Sequence, residues 1–196
     1  MSDNEVIKIG TDSSGRAIYM TRYMKKWWDK VVEECGFTPT IVQGAWMSRA
    51  GGGAADSAGY HDGGGCLDIR TWDRTNAELQ KMNRVIRSNG AGGWIRDARH
   101  GMDPHYHLVL GSDFGLSSGA KSQWLDYLNG LDGLSGKRTD YMWRPDPIVR
   151  KPVFEKPVNK KPLVKHINKS IAKAKAVGYD NIAARLKAIK KNVQAK

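Results

Sequence analysis

The chain has 196 residues, 40% hydrophobic and 27% charged, enough for one domain of ordinary size with a buried core and an appendage. Its two cysteines, Cys35 and Cys66, form no Cys-x-x-Cys pair and do not indicate a disulfide framework, and no apolar run approaches the ~18 residues of a membrane-spanning helix. The net charge of +12 is unevenly placed: residues 151–196 hold 13 Lys and Arg against 2 Asp and Glu, a balance of +11, while residues 1–150 balance at +1.

The N-terminus has neither the positive start nor the apolar segment of a signal peptide, so the expected location is a cytosol until something releases the protein. Residues 1–16 are polar and expected to be loose, with an edge strand at 6–9. A helix is expected over 21–34, because Met24, Trp27, Trp28 and Val31 recur at helical spacing and Gly36 can stop it. Tryptophans at that spacing read as core in preference to a substrate platform, and Cys35 as a small buried residue. A first core strand is expected over 38–45, followed by an Ala/Gly/Ser-rich loop over 49–60.

Beyond the loop, strand 66–70 precedes a helix over 76–88 that buries Leu79, Met82, Val85 and Ile86 and closes at Asn89-Gly90. Strand 91–96 then buries Trp94 and Ile95, loop 97–104 follows, and 105–110 alternates as another strand. A helix over 117–128 and a turn-rich strip at 129–134 lead to residues 141–147, expected to pack back on the core. Pro152, Pro157 and Pro162 lie among lysines and valines and read as an extended linker over 148–163. Two helices are then expected, on Ile167, Ile171 and Ala174 and on Ile182, Leu186, Ile189 and Val193, with Asp180 as the N-cap of the second. The domain boundaries that follow are 1–147, 148–163 and 164–196.

The chemistry lies in two stretches. His61 and Asp68 are seven positions apart across Gly63, Gly64 and Gly65. Three consecutive glycines would cost a helix about 1 kcal/mol each relative to alanine. A turn is therefore expected, with the glycines free to take positive φ and strand 66–70 carrying Asp68 back toward His61. Imidazole nitrogen and carboxylate oxygen are ordinary zinc ligands, and a catalytic zinc takes three protein ligands with a fourth position left for water. Downstream, His105 and His107 alternate with Tyr106 and Leu108, so the two histidines share one face of a strand. His107 is the candidate third ligand and His105 the candidate general base, with Asp103 in reserve. Taken alone, the first stretch also fits a glycine-rich loop with a surface histidine and a solvated aspartate.

Gly59-x-His61-x-x-Gly64-x-Cys66-x-Asp68-Ile69, followed by His105-x-His107, resembles the metal-binding signature of LAS-type and D-alanyl-D-alanine metallopeptidases. More closely, the chain is similar to peptidase domains of endolysins from phages of actinobacteria, through Gln43-Gly44, the 57–68 and 105–111 blocks, Ala120-x-x-Gln123 and Arg144-Pro145, together spanning roughly residues 18–147. The resemblance implies a zinc ion on His61, Asp68 and His107, hydrolysis of a D-residue-containing peptide bond of bacterial peptidoglycan, and host lysis. It implies no small-molecule cofactor. Gln43 matches a position near the active-site floor where an amide could hold the substrate backbone; its other reading is a side chain that satisfies neighbouring loops. Arg49 lies where such enzymes carry an arginine that steadies the oxyanion, against a solvated loop charge.

This chain departs from the pattern in three places. Gly59 stands for a serine, and Cys66 for an alanine, which puts a thiol on the face of Asp68 as an alternative ligand. Pro104 occupies the position of a glutamate base. The expected fold is α+β, a small antiparallel sheet carrying the zinc site with flanking helices, plus a basic helical tail drawn to anionic wall polymers. Two other functions fit the same residues: an anionic-surface or nucleic-acid binding protein whose histidines are structural, and a metal-bound but inactive wall-binding module.

Overall fold

Asp12 turns the N-terminal segment back on itself. Its carboxylate accepts hydrogen bonds from the backbone N–H groups of Ser14 at 2.9 Å and Arg16 at 3.0 Å and from Arg16 Nε at 2.7 Å. In the computed structural model, which describes residues 2–47, 57, 59–152, 161–176 and 179–195, β1 (Val6–Thr11) and β2 (Ala17–Thr21) therefore pair as an antiparallel hairpin. The edge strand expected at 6–9 is present and runs on to Thr11. A lone hairpin is marginal in water, and this one is held by Ile18 and Met20, which enter the main core.

Thr21 ends the hairpin and caps α1 (Arg22–Cys35), its hydroxyl accepting from the N–H of Met24 at 2.9 Å, and Gly36 closes the helix at φ 72°. Met24, Trp27, Trp28, Val31 and Cys35 form the buried stripe, each such side chain contributing about 1.5–3 kcal/mol. Trp27 belongs to this core, donating from Nε1 to the Asn89 carbonyl at 2.9 Å. A capping box between Thr75 and Glu78 starts α2 (Asn76–Ser88), and Ser117 caps α3 (Ser118–Leu128).

Four strands form the central antiparallel sheet: β3 (Ile41–Gln43), β4 (Cys66–Arg70), β5 (Gly92–Arg96) and β6 (His105–Val109), in the order β3-β4-β6-β5. β3 is shorter than expected. The register shifts opposite Asp68, and Ala45 leaves to bridge Tyr19 of β2. Alternation gives the sheet two faces. Leu67, Ile69, Tyr106 and Leu108 pack on one side with Met24, Trp27, Val31, Met82 and Ile86. The other side carries Asp68, His105, His107, Trp94 and Arg96. There α3 covers one end, where Cys66, Trp94, Val109, Ala120 and Tyr127 form a second cluster. A buried ion pair, Arg87 to Asp140 at 2.8 Å, with Arg87 also donating to the carbonyls of Met142 and Trp143, ties the returning segment to α2. Met142 packs on both clusters as expected, while Tyr141 is exposed.

The chain divides into two compact units, Met1–Val153 and Phe154–Lys196. In the second, α4 (Lys161–Ala176) and α5 (Asp180–Ala195) pack on one another. Ile167, Ala174 and Ala183 are buried, while Ile182 and Ile189 are exposed. Asp180 is the first residue of its helix, and α4 starts inside the stretch expected as linker.

Gly63, Gly64 and Gly65 serve a different purpose from the one expected of them. Only Gly65 has positive φ, at 85°. Gly63 and Gly64 are glycine because the backbone of residues 113–117 runs against them: Gly64 N–H donates to the Gly115 carbonyl at 2.9 Å, and a methyl group at Gly64 would land on the Phe114 carbonyl oxygen. Gly64→Ala is expected to destabilise the protein by about 1–3 kcal/mol, as overpacking does. Gly10→Ala, whose added carbon meets nothing within 4 Å, is the control. Urea denaturation of the two variants checks this, and equal midpoints would show that the loop yields.

Candidate metal centre

Three neighbouring elements bring His61, Asp68 and His107 together. Asp68 and His107 are paired residues on adjacent strands, and alternation sends both to the same face. His61 arrives from a turn clamped on two sides. Its carbonyl accepts from Met47 N–H at 3.0 Å, and the Tyr60 carbonyl accepts from the Ser117 hydroxyl at 2.8 Å, which fastens the turn to the start of α3. All three side chains are buried.

The outer hydrogen bonds decide which atoms face inward. His61 Nδ1 lies 3.0 Å from the Gly44 carbonyl, which can only accept, so Nδ1 carries the proton and Nε2 turns its lone pair to the centre. Gln123 donates from its amide nitrogen to the Gly133 carbonyl at 3.3 Å, which points its Oε1 at His107 Nε2, 2.8 Å away. His107 Nε2 is thus the N–H, and Nδ1 faces the centre. Two imidazole lone pairs and a carboxylate oxygen then converge: His107 Nδ1 to Asp68 Oδ1 at 2.7 Å, His61 Nε2 to Asp68 Oδ1 at 3.3 Å, and His61 Nε2 to His107 Nδ1 at 3.3 Å. Three acceptors cannot share a buried space unless a proton or a cation lies between them. The cluster can hold a metal ion, and it is the one such group among the described residues.

Electrostatics agrees with the geometry. Burial pushes the Asp68 carboxyl up, but His61 and His107 overcome it and hold its pKa well below the usual range. At His61 burial lowers the pKa, and the charge and hydrogen bonding of Asp68, with the Gly44 carbonyl, outweigh it, so the net direction is up. Burial dominates at His107, whose pKa is lowered despite Asp68. The metal-free site therefore keeps a proton that a metal must displace.

A cleft of about 720 Å³ opens over this centre. His105 stands at its wall, Nδ1 donating to the Asp103 carbonyl at 2.6 Å and Nε2 lying 3.8 Å from Asp68 Oδ1, so the free lone pair of His105 faces the site. Asp103 lines the rim with its carboxylate exposed. Gln43 lies opposite Asp68 and reaches the cleft, its amide donating to Met47 Sδ at 3.2 Å. Arg49 lies outside the described residues. Cys66 shares the Asp68 face but packs with Trp94 and Val109 and belongs to no ligand group; burial keeps its thiol pKa well above the usual value. Arg96, Gln123 and the Gly44 carbonyl had no assigned role in the sequence. The available signal for Arg96 was its alternation with Trp94, which puts it on the site face.

Sequence and sign together fix how pH acts on this site. The raised pKa of His61 stabilises the metal-free fold below the unfolded imidazole value, and this contribution is lost as pH rises through the folded value. The lowered pKa of Asp68 contributes above the ordinary carboxylate range and is lost as pH falls through its folded value. The gain in melting temperature on metal loading should therefore widen as pH rises through the His61 range. Gln123→Ala, which frees the His107 ring, should weaken metal affinity by roughly 10- to 100-fold. Calorimetry across pH reads both effects, and a pH-independent gain would show that no proton is displaced. Compared with protein-family models, curated proteins and solved structures, the chain finds no match, so its own fold and site carry the functional reading.

Proposed function

We propose that the cleft is the active site of a zinc peptidase that hydrolyses a D-residue-containing peptide bond of bacterial peptidoglycan, as an endolysin does in host lysis. The observation that carries this reading is the convergence of three lone pairs beside a third imidazole, that of His105, in an open cleft. Two imidazoles and one carboxylate suit zinc, and a tetrahedral zinc with bonds of about 2.0–2.1 Å puts its ligand atoms roughly 3.3 Å apart, the separation of two of the three pairs here. The likeness of the His61, Asp68 and His107 spacing to cell-wall metallopeptidases supports the choice of substrate.

When bound by His61, Asp68 and His107, zinc supplies a water of lowered pKa and a Lewis-acidic contact for the scissile carbonyl. His105 does the proton work. Its Nδ1–H is anchored on the Asp103 carbonyl, so Nε2 takes the proton of the attacking water and returns it to the leaving amine. Gln43, at the edge of the sheet, meets the substrate backbone. The burial of His61, Asp68 and His107 excludes bulk water from the ligand side, while the cleft admits the chain to be cut.

His105→Ala should retain zinc and lose on the order of 10²- to 10⁴-fold in turnover on purified peptidoglycan. Asp103→Asn should lose less, because it keeps the carbonyl that orients His105. Alanine at His61, Asp68 or His107 should release the zinc and the activity together. Elemental analysis beside digestion assays checks each variant, and an inverted rank of His105 and Asp103 would make Asp103 the base.

The second unit suits a different partner. On α4, Lys165, Lys169 and Lys173 recur every four residues and are exposed, and Arg185, Lys187 and Lys191 are exposed on α5. We assign these rows to anionic wall polymers, which would raise the concentration of enzyme at its substrate. A chain ending at residue 152 should hydrolyse small soluble muropeptides like the full chain but bind whole walls less well. Its wall binding should also depend less on salt, which screens exposed charges over ~8 Å at physiological ionic strength. Equal binding of both chains across a salt series would assign the helices to something else.

A further inference from the structure

Arg96 is 2% exposed, yet among the described residues no carboxylate forms an ion pair with it; burial lowers its pKa, and Asp132, Asp68 and Asp140, which act on it only at longer range, do not offset this. The other buried or cleft-lining arginines differ: Arg87 meets Asp140 at 2.8 Å and Arg16 meets Asp12 at 2.7 Å. Arg96 makes one hydrogen bond, from Nη2 to the Asp132 carbonyl at 2.7 Å, out of the five N–H donors of a guanidinium. None of its nitrogens is sealed and unbonded, so the remaining donors open to the cleft that Arg96 lines. The group is held in place from below. Its guanidinium carbon lies 5.2 Å from the centre of the Trp94 ring, which stacks on His107 at 6.4 Å and 14°. A buried guanidinium with no carboxylate in direct contact is under-compensated, and a rigid planar fork is the usual receptor for a carboxylate.

Its position narrows the ligand. Arg96 is the register partner of His105, one alternate row along from the pair of Trp94 and His107, so it flanks the proposed base at about one strand spacing, 4.7–4.9 Å. A carboxylate held there sits within roughly one residue of the bond being cut. Resting on the peptidase reading, we propose that Arg96 is the receptor for a substrate carboxylate next to the scissile bond. That carboxylate is either the free C-terminus of the leaving residue or an acidic side group of a neighbouring one.

The test is binding by the metal-free protein, so that no metal can hold the carboxylate instead. Acetyl-D-alanyl-D-alanine is titrated against its C-terminal amide, and a γ-D-glutamyl dipeptide against the form with its α-carboxylate amidated. One acid should bind on the order of 10- to 100-fold more tightly than its amide, the usual strength of charge-assisted hydrogen bonds, and the pair that discriminates identifies the source. Arg96→Met should abolish the discrimination and Arg96→Lys should restore only part of it, with zinc content and near-UV dichroism confirming the fold. Should Arg96→Met not fold, the wild-type comparison and Arg96→Lys decide. Equal binding of acid and amide in both pairs, no binding of any of the four, or discrimination retained in Arg96→Met would overturn the proposal. Digestion of purified walls separates the two layers: walls cut without acid preference leave the peptidase and remove the receptor, while acid preference without cutting does the reverse.

Discussion

The site depends on two hydrogen bonds that point away from it. The Gly44 carbonyl accepts from the Nδ1–H of His61, and Gln123 Oε1 accepts from the Nε2–H of His107, in an amide whose own orientation is set by the Gly133 carbonyl. Each acceptor holds a ring proton on the outer nitrogen and so leaves the lone pair of the inner nitrogen facing the centre. Either ring in the other tautomer would put an N–H beside the Asp68 carboxylate, and the cluster would become a self-satisfied hydrogen-bond network with no need of a cation. The difference between a structural histidine pair and a metal centre rests here on one carbonyl and one amide.

Much of the rest of the first unit follows from keeping those two acceptors in place. Gly44 can present its carbonyl because β3 ends early and the chain crosses to Tyr19 of β2, with Gly44 itself pressed on the Ile18 and Tyr19 backbone. Gln123 can present its amide because Ser117 both caps α3 and fastens the His61 turn. Beneath that turn the buried Asp113 accepts from the Thr21 hydroxyl at the start of α1, and its pKa is raised by burial. Strand exit, helix start and metal turn thus share hydrogen bonds, and a disturbance at any one reaches the ligands.

These dependencies explain what could be read from the chain and what could not. α1, α2 and α3 are legible because their apolar spacing and their caps, Thr21, Thr75 and Ser117, are local. β4 is legible at both ends, and alternation places Asp68 with Cys66 and His107 with His105, while the register that brings the two pairs to one face is tertiary. The early end of β3 is invisible, since it is set by a hairpin whose turn depends on Asp12 gathering donors. The glycines are visible, but their reason is not: Gly63 and Gly64 answer to a backbone about 50 residues downstream. Gln123 is marked in the sequence only as part of the Ala120-x-x-Gln123 match, and nothing local shows that its amide meets His107. Arg96 shows its face through alternation, while its lack of a direct ion pair is a property of the fold.

The charges of the cleft then set what it can accept. Asp68 is the one carboxylate in the ligand set, and both ligand imidazoles are neutral when they coordinate. A divalent cation there leaves one positive charge uncompensated, and Arg96 adds a second in the same buried region. Asp103 at the rim is exposed and screened by solvent, and Asp132 and Asp140 act on Arg96 only from beyond ion-pair distance. A loaded cleft of this kind repels cationic ligands and favours groups that carry negative charge or acquire it during reaction, such as the carbonyl oxygen of a peptide under attack. Because the sheet fixes both charges from neighbouring strands, the proposed reaction would need little reorganisation as that charge develops.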